Sequence, residues 1–485
     1  MSLIQVKHVT FSYEGSYDLI FDDVSFQIDT DWKLGLVGRN GRGKTTFLKL
    51  LMKQMEYSGS ITSNVEFDYF PFSLENAEEI VIAAAYRIYP DMEYWQLVRE
   101  LSRLQMTEDV LERPFSTLSG GERTKALLAI LFLKENHFLL IDEPTNHLDT
   151  QTRQLVGSYL AKKKGFILVS HDRAFLDASV DHILAIDKTK ITITRGNFSS
   201  WFENKQRQDQ FEQRENARLL RDIHRIKEAA GQTKSWADEA ESTKIGKKAF
   251  LKQKTTGKLV TRAYVGEKSR KMQQRRKNLE KRQERAIEEK SQLLKDVETA
   301  EDLKWFPGVV RTKKDSPVIR IKMPSVNFEV YPGEQVLLQG RNGCGKTSIL
   351  KNILRKTTNL TVSYVPQDAS YLSGGFRQFA KTLEEENGVD MSLLFSVLRK
   401  LGMERDQFEK QMEEFSEGQK KKVLLAKSLC EQADLYLWDE PLNYIDIYSR
   451  MQIEKVIENV RPTMILVEHD ERFAETIAAK AVKMV

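Results

Sequence analysis

Short continuous apolar runs recur near both ends of the chain, and a long, mostly polar stretch separates them. Ile4–Val9 and Val24–Ile28 read as short strands, with Phe11, Tyr13 and the turn-forming Gly15 between them. Lys33–Val37, Phe138–Ile141 and Ile167–Val169 carry almost no polar residue, the pattern of strands buried on both faces. Helical runs follow two of the motif-bearing segments, at Phe47–Met55 and Arg123–Leu133. In the polar stretch Leu219, Leu220, Ile223, Ile226 and Ala230 recur at helical spacing. Met272, Leu279, Ala286, Leu293 and Ala300 recur every seven residues, as one seam of an antiparallel helical hairpin would. Gly246, Gly257 and Gly266 interrupt the pattern between them.

A chain of 485 residues suits two domains of roughly 200 residues and a connector better than one core. The expected division is 1–200, 201–316 and 317–485. Net charge sharpens it. The chain carries a formal +5, but Trp201–Ser316 holds 30 basic and 19 acidic residues, a surplus of 11, which leaves the remainder at −6. The middle of the connector, about 242–277, has 13 Lys or Arg against the single acid Glu267. Clustered positive charge of this kind predicts a polyanionic partner. Phe250, Leu251, Leu259, Val260 and Tyr264 lie among these lysines, a mixture suited to phosphate contact with stacking near bases. The candidate RNA-contacting residues are Lys247, Lys248, Phe250, Lys252, Lys254 and Lys258. Two cysteines, Cys344 and Cys430, imply neither a disulfide framework nor a zinc site and fit a reducing compartment. No run of about 18 apolar residues offers a membrane span, and the N-terminal stretch lacks the layout of a signal peptide. A cytoplasmic protein without a membrane partner is expected.

The chemistry sits at the ends of the apolar runs. Gly38-Arg-Asn-Gly-Arg-Gly-Lys44-Thr45-Thr46 lies between a strand and a helix, the context a phosphate-binding loop requires. Gly38, Asn40, Gly41 and Gly43 place backbone N–H groups around phosphates, Lys44 reaches the β/γ-phosphates, and Thr45 offers a hydroxyl to Mg²⁺. Leu118-Ser119-Gly120-Gly121-Glu122 opens a helix. Phe138–Glu143 ends in Asp142, suited to hold Mg²⁺ through water, and Glu143, suited to orient or deprotonate an attacking water. His171 follows another apolar strand. The series returns some 300 residues on: Gly340, Asn342, Gly343, Gly345, Lys346, Thr347 and Ser348; Gln367; Ser416-Glu417-Gly418-Gln419; Asp439-Glu440; His469. It is an internal duplication. Tyr371-Leu-Ser-Gly-Gly375 looks like a further signature but reads as a loop coincidence without a helical successor at the right spacing.

In this order the motifs resemble the nucleotide-binding domains of ABC ATPases, over nearly all of residues 1–200 and again in the second half. The resemblance implies an α/β fold: two tandem P-loop domains joined by a long helical hairpin, with ATP and Mg²⁺ as cofactors. It implies that Tyr13 stacks on adenine and that the halves pair head to tail within one monomer. Lys44 and Glu143 would then face Ser416, Gly418 and Gln419, while Lys346 and Glu440 would face Ser119, Gly120 and Gly121. Two departures predict unequal sites. Phe72 stands where the family has glutamine, which Gln367 supplies in the second half. Glu417 replaces a signature glycine and is tolerable beside a γ-phosphate only if it points away.

Two ABC domains with no membrane domain and a basic helical linker resemble the ABC-F proteins, which act on ribosomes. From Phe72 to Ser119 there are 47 residues and from Gln367 to Ser416 there are 49, too few in the first half for the extra arm of housekeeping members. The short arm, long linker and Trp438–Asp446 passage are similar to the antibiotic-resistance members of the Lsa/Vga group. That resemblance implies binding to the 70S ribosome at the E site, contact with 23S rRNA and P-site tRNA, and loss of bound lincosamide, pleuromutilin or streptogramin A. A translation or ribosome-assembly factor without a drug role, or the ATPase subunit of a transporter, are the alternatives.

Overall fold

The computed structural model describes residues 2–14, 18–72, 78–146, 148–244, 262–293, 303–305, 316–323, 326–357, 359–477 and 479–484, and within 230–280 chiefly the backbone. The candidate tip residues Lys247, Lys248, Phe250, Lys252, Lys254 and Lys258 lie outside the described residues, as does Gly15. The chain divides into two compact units, Met1–Trp201 with Ala300–Val485, and Phe202–Thr299.

In the first unit each half is built on a parallel sheet. In the N-terminal half the spatial order is Glu66–Phe70, His137–Asp142, Phe166–Val169, Lys33–Val37 and His182–Asp187, all parallel, with Lys190–Arg195 added antiparallel at the edge. The C-terminal half orders Val362–Val365, Leu435–Asp439, Met464–Val467, Gln335–Gln339 and Lys480–Lys483 in parallel. The continuous apolar runs are these central strands, fully buried as expected. In each sheet the phosphate-loop strand lies beside the histidine strand, with the carboxylate strand one further on, so their C-terminal ends open onto one crevice. That crevice is where ligands of open α/β sheets bind. The two N-terminal strands are longer than expected, Leu3–Ser12 and Leu19–Asp29, because they pair with each other, and the first also with Ser58–Thr62, in an antiparallel sheet that continues past the apolar residues.

The connector's return end is anchored in the C-terminal core. Trp305 is buried, stacked on Trp438 with ring centroids 5.8 Å apart and planes within 8°, and edge-on to Tyr436 at 4.9 Å. Trp438 immediately precedes Asp439 on its strand. The helix after Tyr371–Gly375, Phe376–Asn387, is capped by Gly375 and not by Ser373, so it does not follow at the spacing of a signature.

The second unit is drawn from two helices, Phe198–Lys244 and Arg262–Gln292, with Lys290 Nζ and Asp222 Oδ2 2.7 Å apart between them. Its seam differs from the heptad reading. Ile223 is buried with Leu219 and Ile226 half-buried one turn either side, and on the second helix the half-buried positions are Gln283, Ala286, Ile287 and Lys290. Leu279 and Leu293 are exposed, as is Leu220. Met272, Ala230 and Ala300 lie outside the described side chains.

Candidate nucleotide-binding sites

Each phosphate loop turns on glycines in the left-handed region, Gly41 and Gly43 at φ 83° and 87°, and Gly343 and Gly345 at φ 82° and 93°. At Gly43 a Cβ would also meet Ile20 Cγ2 at 2.5 Å, so no other residue fits. Gly43 and Gly345 cap the helices Lys44–Leu51 and Lys346–Lys356 without a side chain, so the first N–H groups face the crevice. Lys44 Nζ is folded back onto Gly38 O at 2.8 Å, Arg39 O at 3.3 Å and Asn40 Oδ1 at 3.2 Å. Lys346 Nζ does the same with Gly340 O at 2.7 Å and Arg341 O at 3.0 Å. Burial lowers the Lys44 pKa, offset by Asp446, Glu143 and Asp142. Such an ammonium, satisfied only by carbonyls, gains by exchanging them for phosphate oxygens.

The carboxylate strands end alike. Glu143 and Glu440 both adopt positive φ, 51° and 47°, an uncommon conformation for glutamate. Their N–H groups bond to Val169 O and Val467 O, each at 2.9 Å, which pins the strained residue to the neighbouring strand. Strain of this kind costs about 1–3 kcal/mol and persists where it aims a functional side chain. His171 Nε2 lies 3.3 Å from Glu143 Oε1, and His469 Nε2 lies 3.8 Å from Glu440 Oε1. Burial holds both histidines neutral, His469 down to about 3 with Lys346 adding to the effect. Burial, then Asp142, pushes Glu143 up to about 8.

The predicted residues of the first site converge. Tyr13, Asn40, Gly41, Gly43–Thr46, Asp142, Glu143 and His171 form one wall of a cavity of about 620 Å³, and Ser416–Gln419 with Tyr444 of the C-terminal half form the other. Asn40 Nδ2 donates to Tyr444 O at 3.1 Å across the gap, and a Cβ on Gly418 would approach that same oxygen to 2.7 Å. Glu417 lines the cavity with its side chain half exposed, and Lys420 Nζ, 3.6 Å away, offsets its charge. Ser416 caps its helix, accepting from Gln419 N, while Gln419 Oε1 accepts from Ser416 N at 2.9 Å. Ser119 and Glu122 make the same reciprocal cap over Gly120 and Gly121. Tyr13 bonds Thr46 Oγ1 at 2.7 Å and stays partly exposed at the cavity edge.

On the other side the Asn342 N–H donates to Asp149, the contact that brings the N-terminal half to the second phosphate loop. Gln367 Nε2 and Asn443 Nδ2 both bond Glu440 Oε2, at 3.0 and 2.7 Å. Ser348 is exposed just beyond Thr347. Further ties between the halves are Arg173 with Glu454, Arg472 with Asp177 and Ser199, and Gln154 with Glu471 at 2.8 Å. Sequence spacing missed Gly402, Met403 and Gln407, which line the first cavity from the opposite half, because no motif marks them.

For Mg²⁺ the donor set is all oxygen. Thr45 Oγ1 donates to Asp142 Oδ2 at 3.0 Å, and in the second half the buried Asp439 carboxylate lies against the Thr347 hydroxyl, which offsets part of the rise that burial gives its pKa. One hydroxyl and one carboxylate per site suit a cation that completes its shell with water and phosphate. These residues fit the ion.

A nucleotide cavity walled by both halves, and a second phosphate loop tied to the opposite half through Asp149, describe an ABC sandwich. A family model described as ABC transporter matches residues 21–146 and 323–443, together half of the chain. The chain belongs to the ABC family, in its ABC-F branch. This ABC ATPase is 27% identical over 477 residues to the ribosome protection protein VmlR of Bacillus subtilis (strain 168), covering 96% of the chain and 84% of that protein. It is 26% identical over 465 residues to the erythromycin resistance ATP-binding protein MsrA of Staphylococcus epidermidis, covering 92% and 91%. The archaeal ribosome recycling factor aABCE1, solved with ribosomal stalk protein aP1, shares the fold at TM-score 0.62 and 19% identity, covering 98% and 87%. Among the described residues no helix is long and apolar enough to cross a membrane.

Proposed function

We propose that this ATPase protects ribosomes from antibiotics, binding the 70S particle in the cytoplasm and reaching with its connector tip toward the drug site. The observation that carries the reading is the shared first cavity: Lys44 and Glu143 lie on one wall and Ser416 and Gly418 on the other, so nucleotide occupancy and pairing of the halves are one event. ATP held by Lys44 and Lys346 draws each signature N-terminus onto the γ-phosphate, and the closed form is the ribosome-binding form. Mg²⁺ held by Thr45 and Asp142, and by Thr347 and Asp439 with Gln367 nearby, would neutralise phosphate charge. Glu143 and Glu440 orient the attacking water, His171 and His469 sit beside them as neutral donors, and loss of the γ-phosphate reopens the halves.

The names of VmlR and MsrA support protection over a housekeeping role, and the basic tip 242–277 supports RNA as the partner. The finer reading is entry at the E site, contact with 23S rRNA and P-site tRNA through Lys247–Lys258, and release of lincosamides, pleuromutilins or streptogramin A, as in the Lsa/Vga group. The test is drug susceptibility of a sensitive host expressing wild type, E143Q/E440Q, or a deletion of Lys247–Lys258, with ribosome pelleting in parallel. Protection by wild type alone, with the double Gln variant trapped on ribosomes, is expected. No protection despite trapping would make the chain a translation factor, and no pelleting of either form would defeat ribosome binding.

A further inference from the structure

The two halves support their carboxylates in opposite ways. In the second half Gln367 bonds the glutamate, Glu440, and the Tyr364 hydroxyl is buried with no partner among the described residues. In the first half Phe72 offers no polar group and lines a different cavity beside Pro71 and Phe67. There the tyrosine equivalent to Tyr364 is engaged instead: Tyr69 OH donates to Asp142 Oδ2 at 2.9 Å, the oxygen that also accepts from Thr45 Oγ1 at 3.0 Å. Two donors on one oxygen fix the carboxylate, which cannot rotate without losing both. Tyr69 lines the Phe72 cavity rather than the nucleotide cavity, so it stands behind Asp142 and acts through it. Burial and the Asp142 charge raise its pKa, which keeps the hydroxyl a donor.

We infer that Tyr69 is a positioning residue of the first nucleotide site, holding Asp142 toward the metal of bound Mg·ATP where position 72 contributes nothing. This rests on the proposed nucleotide role of that site. Hydrogen-bond partners behind a metal ligand tune cation affinity about 10–100-fold, and a tyrosine hydroxyl shared with Thr45 belongs at the lower end.

The test uses the full chain carrying K346A, which disables the second phosphate loop, and reads mant-ATP fluorescence while Mg²⁺ is titrated. Y69F should raise the half-saturating Mg²⁺ concentration about tenfold and leave mant-ATP affinity in EDTA within about twofold, because the lost bond bears on the metal and not on the phosphate loop. Y364F in a K44A background should leave the Mg²⁺ midpoint unmoved, since that hydroxyl bonds to nothing. An unmoved midpoint in Y69F, equal loss in EDTA, or an equal shift in Y364F would overturn the assignment and leave Tyr69 as core packing. If the parent K346A chain binds no mant-ATP at all, the nucleotide reading of the site has failed instead.

Discussion

Removing the Arg173 side chain should uncouple the two halves more than it destabilises either. Arg173 and Glu454 form a two-pronged pair across the domain junction, with side chains only 9% and 5% exposed. Burial raises the Glu454 carboxyl above its ordinary range even with Arg173 opposing it, and Asp470 adds to the rise. Breaking one side of a buried pair costs about 3–5 kcal/mol, because the remaining charge has no water. Here the chain has an escape, since parting the halves rehydrates Glu454, so the penalty falls on closure and not on folding. At about 1.4 kcal/mol per decade the closed population of R173M should drop on the order of 10²–10³-fold. An apolar pair of similar volume, R173M/E454L, should recover most of it. Small-angle scattering of E143Q/E440Q with ATP reads the closed state as a smaller radius of gyration, and the double-mutant cycle gives the coupling. The sign with pH follows: the folded-state pKa of Glu454 is raised, so R173M should regain closure as the pH falls below neutral and Glu454 takes up a proton, while wild type changes little. Single-variant effects that simply add, with coupling under about 0.5 kcal/mol, would refute the argument.

Three further outcomes follow from the geometry. Glu143, pushed up to about 8 from 4.5, holds its proton more tightly folded than unfolded, so stability in EDTA should fall as pH climbs through that window; E143Q should melt above wild type at pH 8, with the gap closing toward pH 5. Ser416→Ala should cost about 1 kcal/mol of helix capping by urea titration and should weaken mant-ATP binding in the K346A chain, whereas loss of the cap alone would leave binding intact. Trp305→Ala should cost about 3–5 kcal/mol in urea unfolding of the C-terminal half, and a cost below about 1 kcal/mol would mean the indole stack is not native packing.

The phosphate loops, signatures and carboxylate strands were legible because each lies at a fixed offset from an apolar strand, and the pattern of a buried parallel strand is hard to mistake. The head-to-tail pairing came from resemblance, and the Asn40–Tyr444 bond and shared cavity now give it a physical form. What stayed hidden depends on distance in space. Tyr69 and Tyr364 are equivalent letters, yet one hydroxyl meets a carboxylate and the other meets nothing. On the hairpin's second helix Ala286 of the seven-residue series is half-buried, while Leu279 and Leu293, one repeat either side of it, are exposed, so the apolar letters alone overstate the length of the seam. Gln407 carries no motif and reaches the first cavity only through the fold of the opposite half.

The stack of Trp305 on Trp438 also makes the chain its own optical reporter. Of six tryptophans, Trp438 is one peptide bond from Asp439, whereas Ile141 holds the matching place before Asp142. An indole pair held nearly parallel at 5.8 Å responds to small shifts in overlap, so filling the second site should alter near-ultraviolet circular dichroism that the first site leaves dark. The duplication that makes the two sites hard to separate by chemistry thus leaves them separable by light.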